Sequence, residues 1–244
     1  MNYFSSDFKL GILGGGQLGK MLLAETRKWD IQSFVLDPSH EAPSRITCNN
    51  FFQGDLMDFE TVYRFGKLVD LLTLEIENIN LEALEKLEKE GLKVYPSPKT
   101  LRLIQNKSVQ KEFYIKNHIP TAKGTSFSDL KSLLVAFLEG KLPLPFVWKS
   151  AQFGYDGNGV KIIREATDIE TLPDVACLTE EMIPFKNELA VIVVRSASGE
   201  IKTYPVVEME FHPEANQVEY VICPARIDKK TARKAIEIAL SVSQ

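Results

Sequence analysis

The stretch "FVWKSAQFGYDGNGVKII", residues 146–163, holds two kinds of information. An apolar run ends in Lys149, and five residues later Gly154, Gly157 and Gly159 alternate with Tyr155, Asp156 and Asn158 before a second apolar run begins at Val160. The pattern predicts strand, loop, strand. Three glycines let backbone N–H groups approach an anion with no side chain in the way. A lysine fixed at the strand end adds a compact positive charge suited to phosphate oxygens. Taken alone, the segment reads equally well as a glycine hairpin beside a surface lysine.

Two neighbouring segments bear on the choice. Lys107 in "LIQNKSVQKEF" lies on the preceding predicted helix, from which a second ammonium group can meet the same phosphates; alone it reads as a solvated helix lysine. In "LTEEMIPFKNE", Glu180 and Glu181 end a predicted strand, Met182, Ile183 and a proline follow, and Glu188 lies beyond. A strand running into an extended linker can offer backbone groups to an adenine edge while a carboxylate takes ribose hydroxyls. The alternative is a pair of surface glutamates.

At the other end of the chain, "GILGGGQLGKM" (residues 11–21) fits G-x-G-x-x-G with Gly14, Gly16 and Gly19, and Asp37 in "SFVLDPS" falls where a dinucleotide site keeps its ribose-binding acid. An NAD-dependent oxidoreductase built on these residues is one reading, but it leaves the Lys149 loop without a role. Through residue 97, apolar runs ("FKLGILG", "IQSFVLD", "VDLLTLEIEN", "LKVYPSP") alternate with amphipathic stretches ("QLGKMLLAETRKW", "DFETVYRFGKL", "LEALEKLEKEG"), the signature of βαβ units around a parallel sheet. Glu75 and Glu77, two apart in "LEIEN", are expected to point to one side of a strand end.

Pro96 and Pro98 close that unit, with Ser97 as a helix N-cap. One helix is predicted over "KTLRLIQNKSVQKEFYIKNH" and another over "DLKSLLVAFLEG". Beyond about residue 175 the chain is strand-rich, with a hairpin at "RSASGEIKTYP" turning at Ser198–Gly199, and "DKKTARKAIEIALSVSQ" reads as a final helix.

The totals set bounds. Among 244 residues, 44% are hydrophobic and 25% charged, ordinary for a globular chain. A net charge of −4 offers no broad basic footprint for nucleic acid. Cys48, Cys177 and Cys223 are too few and too scattered for a disulfide framework or a zinc site, which fits a reducing, cytoplasmic setting. No apolar run approaches the length of a membrane span.

The combination of "GILGGGQLGKML", "TLEIENI", "NKSVQKEF…IPTA", "FVWKSAQFGYDGNGV", "EEMIPFKNELAVIVVR" and "YPVVE" resembles the ATP-grasp superfamily and, within it, the 5-(carboxyamino)imidazole ribonucleotide synthase family, over nearly the whole chain. The resemblance implies a mixed α/β fold: a Rossmann-like pre-ATP-grasp parallel sheet (residues 1–97), then α+β ATP-grasp lobes, a small one with the glycine flap (98–179) and a larger, incomplete one (180–244).

The resemblance also implies roles. Lys107 and Lys149 would hold ATP phosphates under a flap of Gly154, Tyr155, Asp156, Gly157, Asn158, Gly159 and Val160, with Lys149, Tyr155 and Asp156 nearest the chemistry. Glu180, Glu181, Met182 and Ile183 would line the adenine pocket, and Glu188 would bind the ribose. His212 is similar to a family histidine near the nucleotide once a small gap is allowed; a surface-turn histidine is the alternative. Gly15, Gly16, Gln17, Leu18, Glu75 and Glu77 would face aminoimidazole ribonucleotide instead of a dinucleotide.

The implied reaction is an ATP-dependent carboxylation by bicarbonate in purine biosynthesis, through carboxyphosphate, by an enzyme that is commonly a homodimer. Magnesium ligands would lie in a continuation beyond Gln244, so the chain reads as a truncated piece that binds ATP weakly and does not turn over. Glu208 and Glu210 do not replace those ligands; alternation places both on one sheet face, in solvent. The rival readings are a formate-dependent glycinamide ribonucleotide transformylase and a non-catalytic nucleotide-binding module.

Overall fold

A computed structural model describes residues 5–152, 159–212 and 218–244. The chain divides into two compact units, Met1–Gln105 and Asn106–Gln244.

In the first unit, β1 (Lys9–Leu13), β2 (Gln32–Asp37), β3 (Asn50–Gln53), β4 (Leu71–Leu74) and β5 (Lys93–Tyr95) form one parallel sheet in the order β3-β2-β1-β4-β5. Three helices, α1 (Gln17–Thr26), α2 (Phe59–Gly66) and α3 (Leu81–Lys89), alternate with the strands. Alternation along β1 divides the core. Leu10 and Ile12 join Leu23 of α1 and Val35 on one face, whereas Leu13 joins Val62, Phe65, Leu84 and Leu87 of α2 and α3 on the other. The chain turns back at β1 and β4, adjacent strands whose carboxyl ends carry the glycine turn and Glu75. In open α/β sheets the ligand crevice forms at such a switch point.

The sequence reading missed β3, a four-residue edge strand in which Phe51 and Phe52 stand between Asn50 and Gln53 and so lack a period-2 pattern. It also joined two helices. Ser97 does cap α4 (Pro98–Ile104), accepting from Thr100 N, but α4 ends there and α5 (Lys107–Lys116) begins on its own cap. Asn106 accepts from Ser108 N and Val109 N, while Gln105 Nε2 donates to the carbonyls of Glu77 and Ile79. The break coincides with the boundary between the units.

The second unit opens with α5 and an antiparallel sheet ordered β6-β9-β7-β8, from β6 (Gly124–Phe127), β7 (Phe146–Ser150), β8 (Val160–Ile163) and β9 (Cys177–Glu181). Phe146 and Trp148 of β7, Cys177 of β9 and Leu133 of α6 (Leu130–Leu138) share a core with Ile169 of the short α7 (Ala166–Ile169). Alternation turns Lys149, Leu178 and Glu180 to the opposite sheet face.

Farther along, β10 (Glu188–Ala190), β13 (Val207–Phe211) and β14 (Val218–Ile222) form a three-stranded antiparallel sheet, and β11 (Val193–Arg195) pairs with β12 (Ile201–Thr203). That pair is the expected hairpin, with Gly199 at φ +89° in its turn. Within the strand-rich tract, β10 and β11 are separate strands that pair with different partners. The last helix is α8 (Lys229–Ser243), capped by Asp228. No described helix is long and apolar enough to cross a membrane.

Glu208 and Glu210 do share a face of β13, but Glu208 is not solvated. It is 3% exposed. Arg226 donates to it from the backbone N at 3.1 Å, Nε at 3.1 Å and Nη2 at 2.9 Å, and also reaches Glu210; Asn187 Nδ2 donates to it at 2.6 Å. A partner supplied from a later loop reverses what strand alternation suggests. The Arg226 guanidinium, helped by Asn187, holds the Glu208 carboxyl down at about 2, against 4.5 ordinarily. A lowered native pKa stabilises the fold above the unfolded value and loses that contribution as pH falls through the native one. Glu208→Gln is therefore expected to lower the urea midpoint at pH 7, the gap closing between about pH 4.5 and about pH 2. In the parallel sheet, Leu72 is fully buried; Leu72→Ala is expected to cost about 2–5 kcal/mol in urea unfolding of the first unit.

Candidate functional site

Between α5 and the face of the second unit's four-stranded sheet that carries Lys149, a cavity of about 340 Å³ is lined by Lys107, Lys111, Tyr114, Lys149, Leu178 and Glu180, among others. Its polar centre is one carboxylate between two ammonium groups. In register, Lys149 pairs with Leu178 and Val147 with Glu180, so Lys149 and Glu180 are diagonal neighbours within reach of each other. Lys149 Nζ lies 2.5 Å from Glu180 Oε2, and Lys111 Nζ binds Oε1. Burial pushes the Glu180 pKa up, but the hydrogen bonds from Lys111 and Lys149 outweigh it, and the carboxyl is held below its ordinary value. Within this cluster, Lys111 and Lys149 against Glu180 leave one net positive charge, and Lys107 lines the same cavity.

The two lysines differ in freedom. Lys111 is 4% exposed, and its ammonium also donates to Thr121 Oγ1 and the Ala122 carbonyl, both at 2.7 Å. With Glu180 these use all three of its N–H groups. Lys149 keeps 31% of its side chain exposed and opens to the cavity. Lys107, the first residue of α5, donates its backbone N–H to the Ala151 carbonyl at 2.9 Å. It lies one helical turn before Lys111, so both lysines share a face of α5.

The flap expected at Gly154, Tyr155, Asp156, Gly157 and Asn158 lies outside the described residues. Gly159, at φ +77°, accepts from Ser150 N at 2.8 Å and brings the chain into Val160. Glu181 does not reach the cavity: its carboxylate accepts from Lys123 N at 2.9 Å, and its own N–H donates to the Lys123 carbonyl. Met182 and Ile183 are exposed beyond it. A separate, wider groove of about 700 Å³ holds both Glu188 and His212, together with Phe185, Glu208 and Arg226.

In the first unit the glycine turn is braced by two acids. Asp37 Oδ2 accepts from Gly15 N and Oδ1 from Ser39 N, each at 2.7 Å. The residue that a dinucleotide site would set on a ribose is here spent on backbone. Glu75 lies across the turn: a Cβ at Gly14 would stand 2.5 Å from its Oε2, and one at Gly16 would stand 2.6 Å from its Oε1. Gly14 also has φ +95°, so a side chain there is excluded by conformation as well as by space. A carboxylate over this turn opposes a pyrophosphate and favours hydroxyl or amine donors.

The same arrangement corrects the expected geometry of the acidic pair. β4 ends at Leu74, so strand alternation does not orient Glu75 and Glu77; both follow in a bend, and Glu77 engages Gln105 through its carbonyl. Gln17 and Leu18, at the start of α1, are exposed beside the turn, while Gly15 is buried. A depression of about 760 Å³ in this unit is lined by Gln32 and Asn50, which begin β2 and β3, and so lies at the strand ends opposite the glycine turn.

Two site residues escaped the sequence reading. Lys111 sits in the quoted "NKSVQKEF", but only its hydrogen bonds into "IPTA" explain why those segments travel together. Arg226 carried no local signal. Among the described residues no three acidic, histidine or cysteine side chains converge as a cation site, and Arg226 already occupies Glu208 and Glu210.

Residues 8–105 match the family described as the ribonucleotide synthetase preATP-grasp domain, and residues 112–244 match the ATP-grasp domain. A phosphoribosylaminoimidazole carboxylase of Candida glabrata is 33% identical over 93% of this chain and 40% of its own. An N5-carboxyaminoimidazole ribonucleotide synthase of Bacillus subtilis is 32% identical over 96% of this chain and 61% of its own. The crystal structure of an N5-carboxyaminoimidazole synthase from Aspergillus clavatus, in complex with ADP and 5-aminoimidazole ribonucleotide, superposes with a TM-score of 0.86 at 32% identity. That match covers 98% of this chain and 62% of the other. The chain thus spans about 40% of the fungal carboxylase and about 60% of the bacterial synthase. Since the ATP-grasp match alone takes in more than half of its residues, the chain belongs to the ATP-grasp family, with a preATP-grasp domain ahead of it.

Proposed function

We propose that this chain serves the ATP-dependent carboxylation of 5-aminoimidazole ribonucleotide by bicarbonate. The observation that carries the reading is the cavity whose Lys111–Glu180–Lys149 cluster has one net positive charge, with Lys149 exposed to a ligand and Lys107 also on the wall. In this reading Lys107 and Lys149 neutralise the ATP phosphates while the glycine-rich segment 154–160 covers them. The backbone of Glu180–Ile183 meets the adenine, Glu188 takes the ribose, and His212 stands beside it. Residues 98–179 and 180–244 are then the two nucleotide-binding lobes.

The first unit takes the acceptor. Glu75 and Glu77 receive hydroxyl or amine donors, and Gly15, Gly16, Gln17 and Leu18 approach the ribonucleotide closely. The relative from Aspergillus clavatus, crystallised with ADP and 5-aminoimidazole ribonucleotide, supports this choice of ligands.

The chemistry asks for little side-chain nucleophilicity. Bicarbonate oxygen attacks the γ-phosphorus, the bond to ADP breaks, and carboxyphosphate forms. The exocyclic amine of the ribonucleotide then accepts the carboxyl group as phosphate leaves. What the protein supplies is position, charge neutralisation and exclusion of water from a hydrolysable intermediate. Tyr155 and Asp156, nearest the γ-phosphate in this reading, belong to that shielding role. Magnesium, when bound with ATP, adds charge neutralisation; its protein ligands are not assigned. A cytoplasmic homodimer completes the reading, in keeping with the three free cysteines.

Calorimetry tests both halves. Lys149→Ala is expected to weaken ATP binding by about tenfold or more while leaving adenosine within about twofold. Glu75→Gln is expected to weaken 5-aminoimidazole ribonucleotide and not ATP. Tight NADH binding by the parent chain would overturn the reading.

A further inference from the structure

Lys111 has no role in the reaction as described, yet it is among the most deeply buried charges of the second unit. Burying an ammonium group costs several kcal/mol unless its donors are satisfied, and here every donor is: Thr121 Oγ1, the Ala122 carbonyl and Glu180 take all three. So held, it cannot swing out to a ligand. Its consequence falls on Glu180, whose other oxygen binds Lys149.

We propose that Lys111 is a positioning residue for Lys149, acting through Glu180: it keeps the buried carboxylate paired so that Lys149 can turn from Glu180 to a nucleotide phosphate. The proposal rests on the reading that Lys149 meets ATP. Consider the site without Lys111. Glu180 and Lys149 would form a neutral pair, and a phosphate drawing Lys149 away would strand a buried carboxylate, which breaking a buried pair makes strongly unfavourable. With Lys111 fixed on Oε1, the carboxylate keeps a partner throughout. Lys149 then has an exchangeable contact, consistent with its greater exposure, and the three-residue cluster retains one net positive charge to draw the phosphates in.

A charge cycle on the full chain tests this. The parent, Lys111→Met, Glu180→Gln and the double variant are titrated with ATP and with adenosine, which lacks phosphates. Counting Lys111, Glu180 and Lys149, the local net charge is +1 in the parent, 0 in Lys111→Met, +2 in Glu180→Gln, and +1 again in the double variant. Lys111→Met is expected to weaken ATP by about tenfold or more and adenosine by less than about twofold. The double variant, which leaves no buried charge unpaired and so folds even where Lys111→Met does not, is expected to bind ATP within about threefold of the parent.

Parent-like ATP affinity in Lys111→Met would overturn the proposal. So would equal losses for ATP and adenosine, or a double variant that binds ATP as weakly as Lys111→Met. A parent chain that binds ATP no better than adenosine would instead defeat the functional reading itself.

Discussion

The Glu180 carboxylate, shared between a buried lysine and a half-exposed one, is the interaction around which the nucleotide wall is built. A carboxylate at this depth needs charged partners, and two are provided from different elements: Lys111 from α5 and Lys149 from β7. The pairing ties helix to sheet and at the same time sets the sign of the cavity. Lys111 is further bound to Thr121 and Ala122, so the connection leading into β6 is held by the same ammonium group. Structure and function meet here because the group that satisfies the fold also leaves a positive charge uncancelled.

The first unit shows the opposite electrostatics. A glycine turn ahead of a helix N-terminus is a ready anion site, and the spacing of Gly14, Gly16 and Gly19 matches a dinucleotide fingerprint. Asp37 and Glu75 change its meaning. One is consumed in bracing the turn through Gly15 and Ser39, and the other lays a carboxylate over Gly14 and Gly16. The glycines here make room for Glu75 as much as for any ligand. A motif that specifies close backbone approach does not say what approaches.

Much of the architecture was legible because its signals are local. Alternating apolar runs and amphipathic helices marked the βαβ unit, Ser97 followed by a proline marked the start of α4, and Ser198–Gly199 marked the β11–β12 turn. Where the reading failed, the deciding partner came from elsewhere in the chain. Asn106 looks like an interior residue of a long amphipathic run until its side chain is seen capping α5. β3 is a strand because β2 offers it an edge, and Glu208 is buried because Arg226 returns to cover it.

By itself the sequence determined the alternation of strands and helices over most of the first unit, the glycine turn at the end of β1, and a lysine at the end of β7 beside a glycine-rich segment. These follow from residue periodicity, caps and the steric freedom of glycine, each acting over a few residues. Only the tertiary structure decided which charges meet: Lys111 and Lys149 on Glu180, Arg226 on Glu208, Asp37 on Gly15, and Glu75 across the turn. Those pairings depend on strand register and on which face of a helix lies over a sheet, and neither is encoded in spacing along the chain.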